Sequence, residues 1–131
     1  MAVRTTNPET LHAPIGYRHL AAGSGTVVFV AGQVALDAEG NLVGEGDLAA
    51  QAGQAYRNFA TALASANLSV QDVAKLTTFV VGYRPELLAH IREAREAEFR
   101  DHLPASTLVG VQALARPEFL IEVEAVAIAD G

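Results

Sequence analysis

Glu122 and Glu124 stand two residues apart inside an otherwise apolar run, Leu120 to Ile128. Side chains alternate along an extended strand, so both carboxylates fall on one face. Two readings of that face stay open: solvated charges on an outer strand, or a cleft in which one carboxylate, preferably Glu122, activates water as a general base. Ser106 and Thr107 place two hydroxyls side by side after Pro104-Ala105. No nucleophile-elbow sequence surrounds Ser106, so acyl-enzyme chemistry is not indicated, and strand-end hydroxyls are the plainer reading. Arg18 and His19 read as surface residues of an edge strand or, for Arg18, as the cation for an anionic ligand. His12, His19, His90 and His102 lack metal-ligand spacing and read as structural or surface groups. Gly23-Ser24-Gly25 is not a phosphate loop, because neither the lysine nor the helix start that should follow it is present.

Composition narrows the chemistry further. The 131 residues fit one domain, 1–131, and half of them are hydrophobic, enough for a core. There is no cysteine, which excludes disulfides, thiolate catalysis and cysteine metal sites. The formal net charge is -6, and the nine lysines and arginines are dispersed, so no basic groove for nucleic acid is expected. No apolar run approaches the roughly 20 residues of a membrane span. The start, MAVRTTNPET, lacks an apolar signal core. A cytoplasmic protein with no nucleic-acid or membrane partner is expected.

The elements that must position these residues follow from hydrophobic period and breakers. Residues 1–14 read as irregular. Residues 18–22 and 26–31 read as two strands joined at Gly23-Ser24-Gly25 into a hairpin. Residues 32–46 are loop, with Glu39-Gly40-Asn41 at its tip. Asp47 is the expected N-cap of a helix ending near Asn67, carried by Leu48, Ala52, Ala55, Phe59 and Leu63. Residues 73–81 are a strand. Pro85 suits the first turn of a second helix, which stops before Pro104. Its outer face is expected to carry the pairs Arg92–Glu96 and Glu96–Arg100. Residues 107–111 and 120–128 are the last strands. The order is β-β-α-β-α-β-β, an α+β fold with two helices on one face of a mixed sheet. The strand at 26–31 is apolar on both sides, and a face made of Val28, Val30, Val126 and Ile128 is expected to need a cover from a second subunit.

Several segments, in order, resemble the RidA/YjgF family. They are Ile15-Gly16; Val28-Phe29-Val30-Ala31-Gly32-Gln33 followed by Leu36-Asp37; Val73 to Val80; Pro104-Ala105-Ser106-Thr107; and Ile121 to Ala127. The resemblance implies a chorismate-mutase-like homotrimer with a small-molecule cleft at each subunit junction. It also implies hydrolysis of enamines and imines such as 2-aminoacrylate and 2-iminopropanoate, without metal or organic cofactor. Glu122 is then the carboxylate that orients the attacking water, and Gly32 matches as well.

The same resemblance marks departures. Family deaminases read Pro-Ala-Arg-Ser, whose arginine grips the substrate carboxylate, and Ser106 stands at that arginine's position. Ala31 replaces a serine. Arg18 aligns with the cleft tyrosine unless the backbone shifts by one residue and lets Tyr17 fill the place. An asparagine common near the second helix is Arg92 here. The expected ligand set is therefore Tyr17, Arg18, Ala31, Gly32 and Ser106 around a catalytic Glu122, with Arg18 supplying the charge lost at position 106. Three functions follow in order: a deaminase-like hydrolase of an enamine or imine other than 2-iminopropanoate; a non-catalytic trimer binding a metabolite or partner; and, last, the ribonuclease activity historically attached to some members.

Overall fold

The computed structural model describes residues 3–130. Six strands and two helices follow one another as β1 (Val3–Thr6), β2 (Leu20–Gly23), β3 (Thr26–Gln33), α1 (Leu48–Ser65), β4 (Val73–Val81), α2 (Leu88–Phe99), β5 (Ala105–Val111) and β6 (Ile121–Ala129). The main sheet has the order β3-β6-β4-β5, antiparallel except for the parallel pair β4–β5, between which α2 crosses over.

Two sequence expectations need correction at the N-terminus. Residues within 1–14, read as irregular, include β1, which pairs antiparallel with β2 from Val3–Gly23 to Thr6–Leu20. Met1 and Ala2 lie outside the described residues. The expected hairpin of residues 18–22 and 26–31 does not form either, because β2 pairs with β1 and β3 pairs with β6. Gly25, at φ +142°, carries the chain from one ladder to the other. A side chain there would run into the backbone carbonyl of Ala129.

Local signals set both helices. The Asp47 carboxylate accepts the N–H of Ala50 at 3.1 Å and caps α1. At the other end Asn67 adopts φ +58°, and the N–H groups of Asn67 and Leu68 return to Ala64 and Leu63, both at 3.0 Å, closing a Schellman turn. Pro85 opens a short 3₁₀ turn that leads into α2. The helices cover one face of the sheet. Phe59 and Phe99 stack there at 5.6 Å, Tyr56 meets Phe99 edge-on, and Leu76, Val80, Ile121 and Val123 fill the sheet side.

The buried amide of Gln51 ties three segments together. Its Nε2 donates to the carbonyls of Gly44 and Glu118 at 3.1 and 2.9 Å, and its Oε1 accepts the N–H of Leu120 at 2.9 Å. Gln51→Leu keeps the volume but strands three backbone groups. We expect a loss of about 3 kcal/mol, a melting point lower by roughly 10 °C at fixed protein concentration. Calorimetry showing a shift under 2 °C would mean that water or a neighbour takes over those groups.

Neither helix covers the second face of the sheet, and at its β3 edge that face is open. Sequence reading placed Val28 and Val30 on it. The register reverses that: Val28 and Val30 turn to the helices, while Val27 and Phe29 stand open, opposite Ile128 and Val126. Phe29 is 77% exposed and Val27 52%. A strand apolar on both sides gives no signal of which side faces the helices.

Candidate functional site

The chemistry-bearing residues gather in two places. The first is a bulge in β3. Three steps from Val30 to Gln33 face two steps from Ala125 to Val123 on β6, so one extra residue is accommodated at Ala31-Gly32. There the Glu122 carboxylate lies directly against the Gly32 backbone, in the space that a Cβ would occupy. Only glycine allows this approach. Glu122 is half-buried, and among the described residues its carboxylate has neither a hydrogen-bond partner nor an ion pair. The Gln33 amide donates to the Ala31 carbonyl at 3.0 Å. Asn58 of α1 holds the following loop, donating to the carbonyls of Val34 and Leu36 at 2.8 and 2.7 Å.

The second place is a cavity of about 340 Å³ between α2, the start of β5 and the segment before β2. Tyr17, Ser106, Arg92 and Arg95 supply its polar side chains; Thr107 also borders it, but its hydroxyl accepts from Lys75 Nζ on the opposite face of the sheet. Ile15, Leu88 and Leu108 make its apolar wall. Ser106 pairs with the buried Leu76 across the ladder, which puts its side chain on the helix face of the sheet. The Tyr17 hydroxyl meets His12 Nε2 at 3.0 Å, and His19 Nε2 donates to the His12 carbonyl at 2.9 Å. Of the four histidines, His102 is buried in the core, where its Nε2 donates to the Val73 carbonyl at 2.9 Å.

The structure separates what the sequence placed around one ligand. Tyr17 and Ser106 share the cavity. Gly32, Ala31 and Glu122 do not line it. Glu122 pairs with Phe79, which pairs with Val109, three residues along β5 from Ser106. Strand spacing and rise put Glu122 and Ser106 about 14 Å apart at Cα, and their side chains leave opposite faces of the sheet.

Arg18 is half-buried and absent from the cavity wall. Its backbone N–H donates to the Pro104 carbonyl at 3.1 Å and bridges to Ala105, while its neighbour Tyr17 turns inward. The cations of the cavity come from α2 instead. The expected pairs Arg92–Glu96 and Glu96–Arg100 are not formed within ion-pair distance. Arg92 turns to the cavity, with Arg95 beside it. Sequence reasoning missed Arg95. The available signal was its spacing: positions 88, 91, 92, 95 and 99 form the core-facing stripe of α2, and two of the five are arginine. Behind the cavity the Tyr56 hydroxyl bonds Thr78 Oγ1 at 2.8 Å. Burial pushes the Tyr56 phenol above its usual pKa, opposed by the Thr78 hydrogen bond and the nearby Arg95 charge.

An α+β domain with two helices on one face of a mixed sheet is the arrangement of the chorismate-mutase-like class. The family model Endoribonuclease L-PSP matches residues 8–129, and the chain belongs to that RidA/YjgF family. The Rid-family protein YyfB of Yersinia pestis is similar over 98% of this chain and 100% of its own, with 42% identity and a TM-score of 0.92. A RutC family protein of Pyrococcus abyssi is 32% identical over 97% of this chain and 98% of its own length. A 2-iminobutanoate/2-iminopropanoate deaminase of Salmonella typhimurium is 32% identical over 95% of this chain and 97% of its own. Among the described residues no helix is long and apolar enough to cross a membrane, and no group of three or more His, Asp or Glu could hold a metal ion.

Proposed function

We propose that this chain works as a homotrimer that hydrolyses an enamine or imine other than 2-iminopropanoate in clefts between protomers, with no cofactor. The observation that carries the reading is Glu122: a half-buried carboxylate, bound by no other group among the described residues, laid on the bare backbone of Gly32. A carboxylate kept free in this way is placed to accept a proton from water. Water adds to the C=N carbon as Glu122 takes its proton, and the proton passes to the nitrogen. The tetrahedral carbinolamine then expels ammonia and leaves a carbonyl; an enamine enters the same route after tautomerising to the imine.

The trimer is part of the mechanism. Glu122 and the Ser106 cavity lie on opposite faces of one chain, so a single copy cannot offer both to one small ligand. The open apolar face around Phe29 supports a second copy docking there. In that assembly Glu122, Ala31 and Gly32 of one protomer would face Tyr17 and Ser106 of another. The similarity to the Salmonella deaminase supports the reaction class. Against the smallest 2-imino acids stands Ser106, at the position where the resemblance expects an arginine.

The test is a panel of imines generated in situ by amino-acid oxidases, with ammonia and carbonyl product measured together. We expect turnover of at least one member of the panel. For 2-iminopropanoate we expect a rate below that of an arginine-bearing relative by a factor of roughly 30 to 1,000, the loss of one charge-assisted clamp. If no imine is turned over at micromolar enzyme, the hydrolase reading fails and a non-catalytic binding role replaces it.

A further inference from the structure

Arg92 and Arg95 lie one turn apart on α2, within the stripe that also carries Leu88, Ile91 and Phe99. Cations in such a stripe cost free energy unless an opposite charge answers them. None does so here: among the described residues neither arginine has an ion-pair or hydrogen-bond partner, and Nη2 of Arg95 is sealed from water without one. The two head groups converge. Measured from the point where a Cβ on Gly16 would sit, Arg95 Nη2 is 3.0 Å away and Arg92 Nε is 3.8 Å. Gly16, at φ +81°, gives both the room to lie there. The remaining cavity groups are hydroxyls and hydrocarbon, with no carboxylate among them.

We infer that this cavity binds a small dianion, either a phosphoryl group or a pair of carboxylates, on a short apolar skeleton. The inference rests on the reading above that this cavity is the ligand end of the cleft. Charge sets the class. A monoanion held between two guanidinium groups leaves one of them unanswered, whereas a dianion neutralises both. Each guanidinium offers a planar fork of N–H donors suited to carboxylate or phosphoryl oxygens. The Ser106 and Tyr17 hydroxyls lie in the same cavity as further hydrogen-bonding groups, and Ile15, Leu88 and Leu108 take the carbon skeleton. Where the resemblance expects a single strand-borne arginine, this cavity carries two from a helix.

The test is calorimetric titration of the intact protein at low ionic strength with inorganic phosphate, malonate and acetate. Phosphate or malonate should bind at least about 10-fold more tightly than acetate, and which of the two prevails identifies the head group. Arg92→Gln and Arg95→Gln should each weaken dianion binding by roughly 10- to 100-fold, the loss of hydrogen bonds to a charged group. Both should also narrow the gap to acetate. Should Arg95→Gln fail to fold, Arg95→Lys keeps the charge without the fork and should lose part of the affinity. Equal binding of all three anions would overturn the inference. So would indifference to both α2 substitutions, or a loss confined to Arg18→Ala. Imine turnover without dianion preference would sink this inference and leave the hydrolase standing; dianion binding without any imine turnover would do the reverse.

Discussion

Glu122→Gln should lower kcat by about 10²- to 10⁴-fold on whichever imine the panel identifies, the usual range for removing a general base. The expectation follows from what the carboxylate touches. Glutamine has the same shape and fits over Gly32 as glutamate does, but its amide cannot accept a proton from water. Since no group among the described residues bonds Glu122, no partner is lost with its charge, and the melting point should hold within about 2 °C. KM should change little, because the anion is gripped elsewhere. Gly32→Ala tests the same geometry from the other partner. Its methyl group would occupy the carboxylate's space, so turnover should fall while glutamate is still present. Full activity in Glu122→Gln would remove this residue from the chemistry and with it the main support for hydrolysis. A parallel collapse of the melting point would instead mark Glu122 as structural.

How far the sequence could be read depended on how local the deciding interactions are. The Asp47 cap, the left-handed turn at Asn67 and the loop tip at Gly40 were legible because each rests on neighbours a few residues away, and the strand at 73–81 because its long β-branched run marks a strand whatever its partners. β1 was not, since four residues, VRTT, become a strand only through pairing with β2 some 17 residues later. The false hairpin has the same origin: Gly23-Ser24-Gly25 does turn the chain, but into a different ladder, and turn chemistry does not say which strand is met next. The phase of β3 was hidden by apolar residues on both sides. At the site, Tyr17, Gly32, Ser106 and Glu122 were reached through family motifs, whereas Arg95 was passed over because a charged residue in a helix reads as surface. Its place in the core-facing stripe shows only when the stripe is indexed position by position. Arg18 attracted attention by resemblance alone; its backbone bridges to Ala105, and Tyr17 beside it is the residue that lines the cavity.

Phe29→Asp should break the assembly and abolish imine hydrolysis while leaving the fold of each chain intact. Phe29 is the most exposed large hydrophobic residue among those described, and it belongs to a patch with Val27, Val126 and Ile128. It is not part of the core beneath the helices, so its replacement removes no internal packing. A carboxylate in its place would have to be buried against apolar surface, at a cost of several kcal/mol for each copy without a partner charge. Three copies in a closed trimer would multiply that cost. Light scattering should therefore report a mass falling from about three times the 13.7 kDa chain to that of one chain, with circular dichroism unchanged. Turnover should vanish with the trimer, since Glu122 and the Ser106 cavity leave opposite faces of the same sheet. Dianion binding should survive within roughly 10-fold, because Arg92, Arg95, Ser106 and Tyr17 all come from one chain. A wild-type protein that is already monomeric at micromolar concentration would refute the covered-face argument. A monomeric Phe29→Asp protein with undiminished turnover would be more damaging, because it would place the water-activating group within reach of a ligand bound by a single copy.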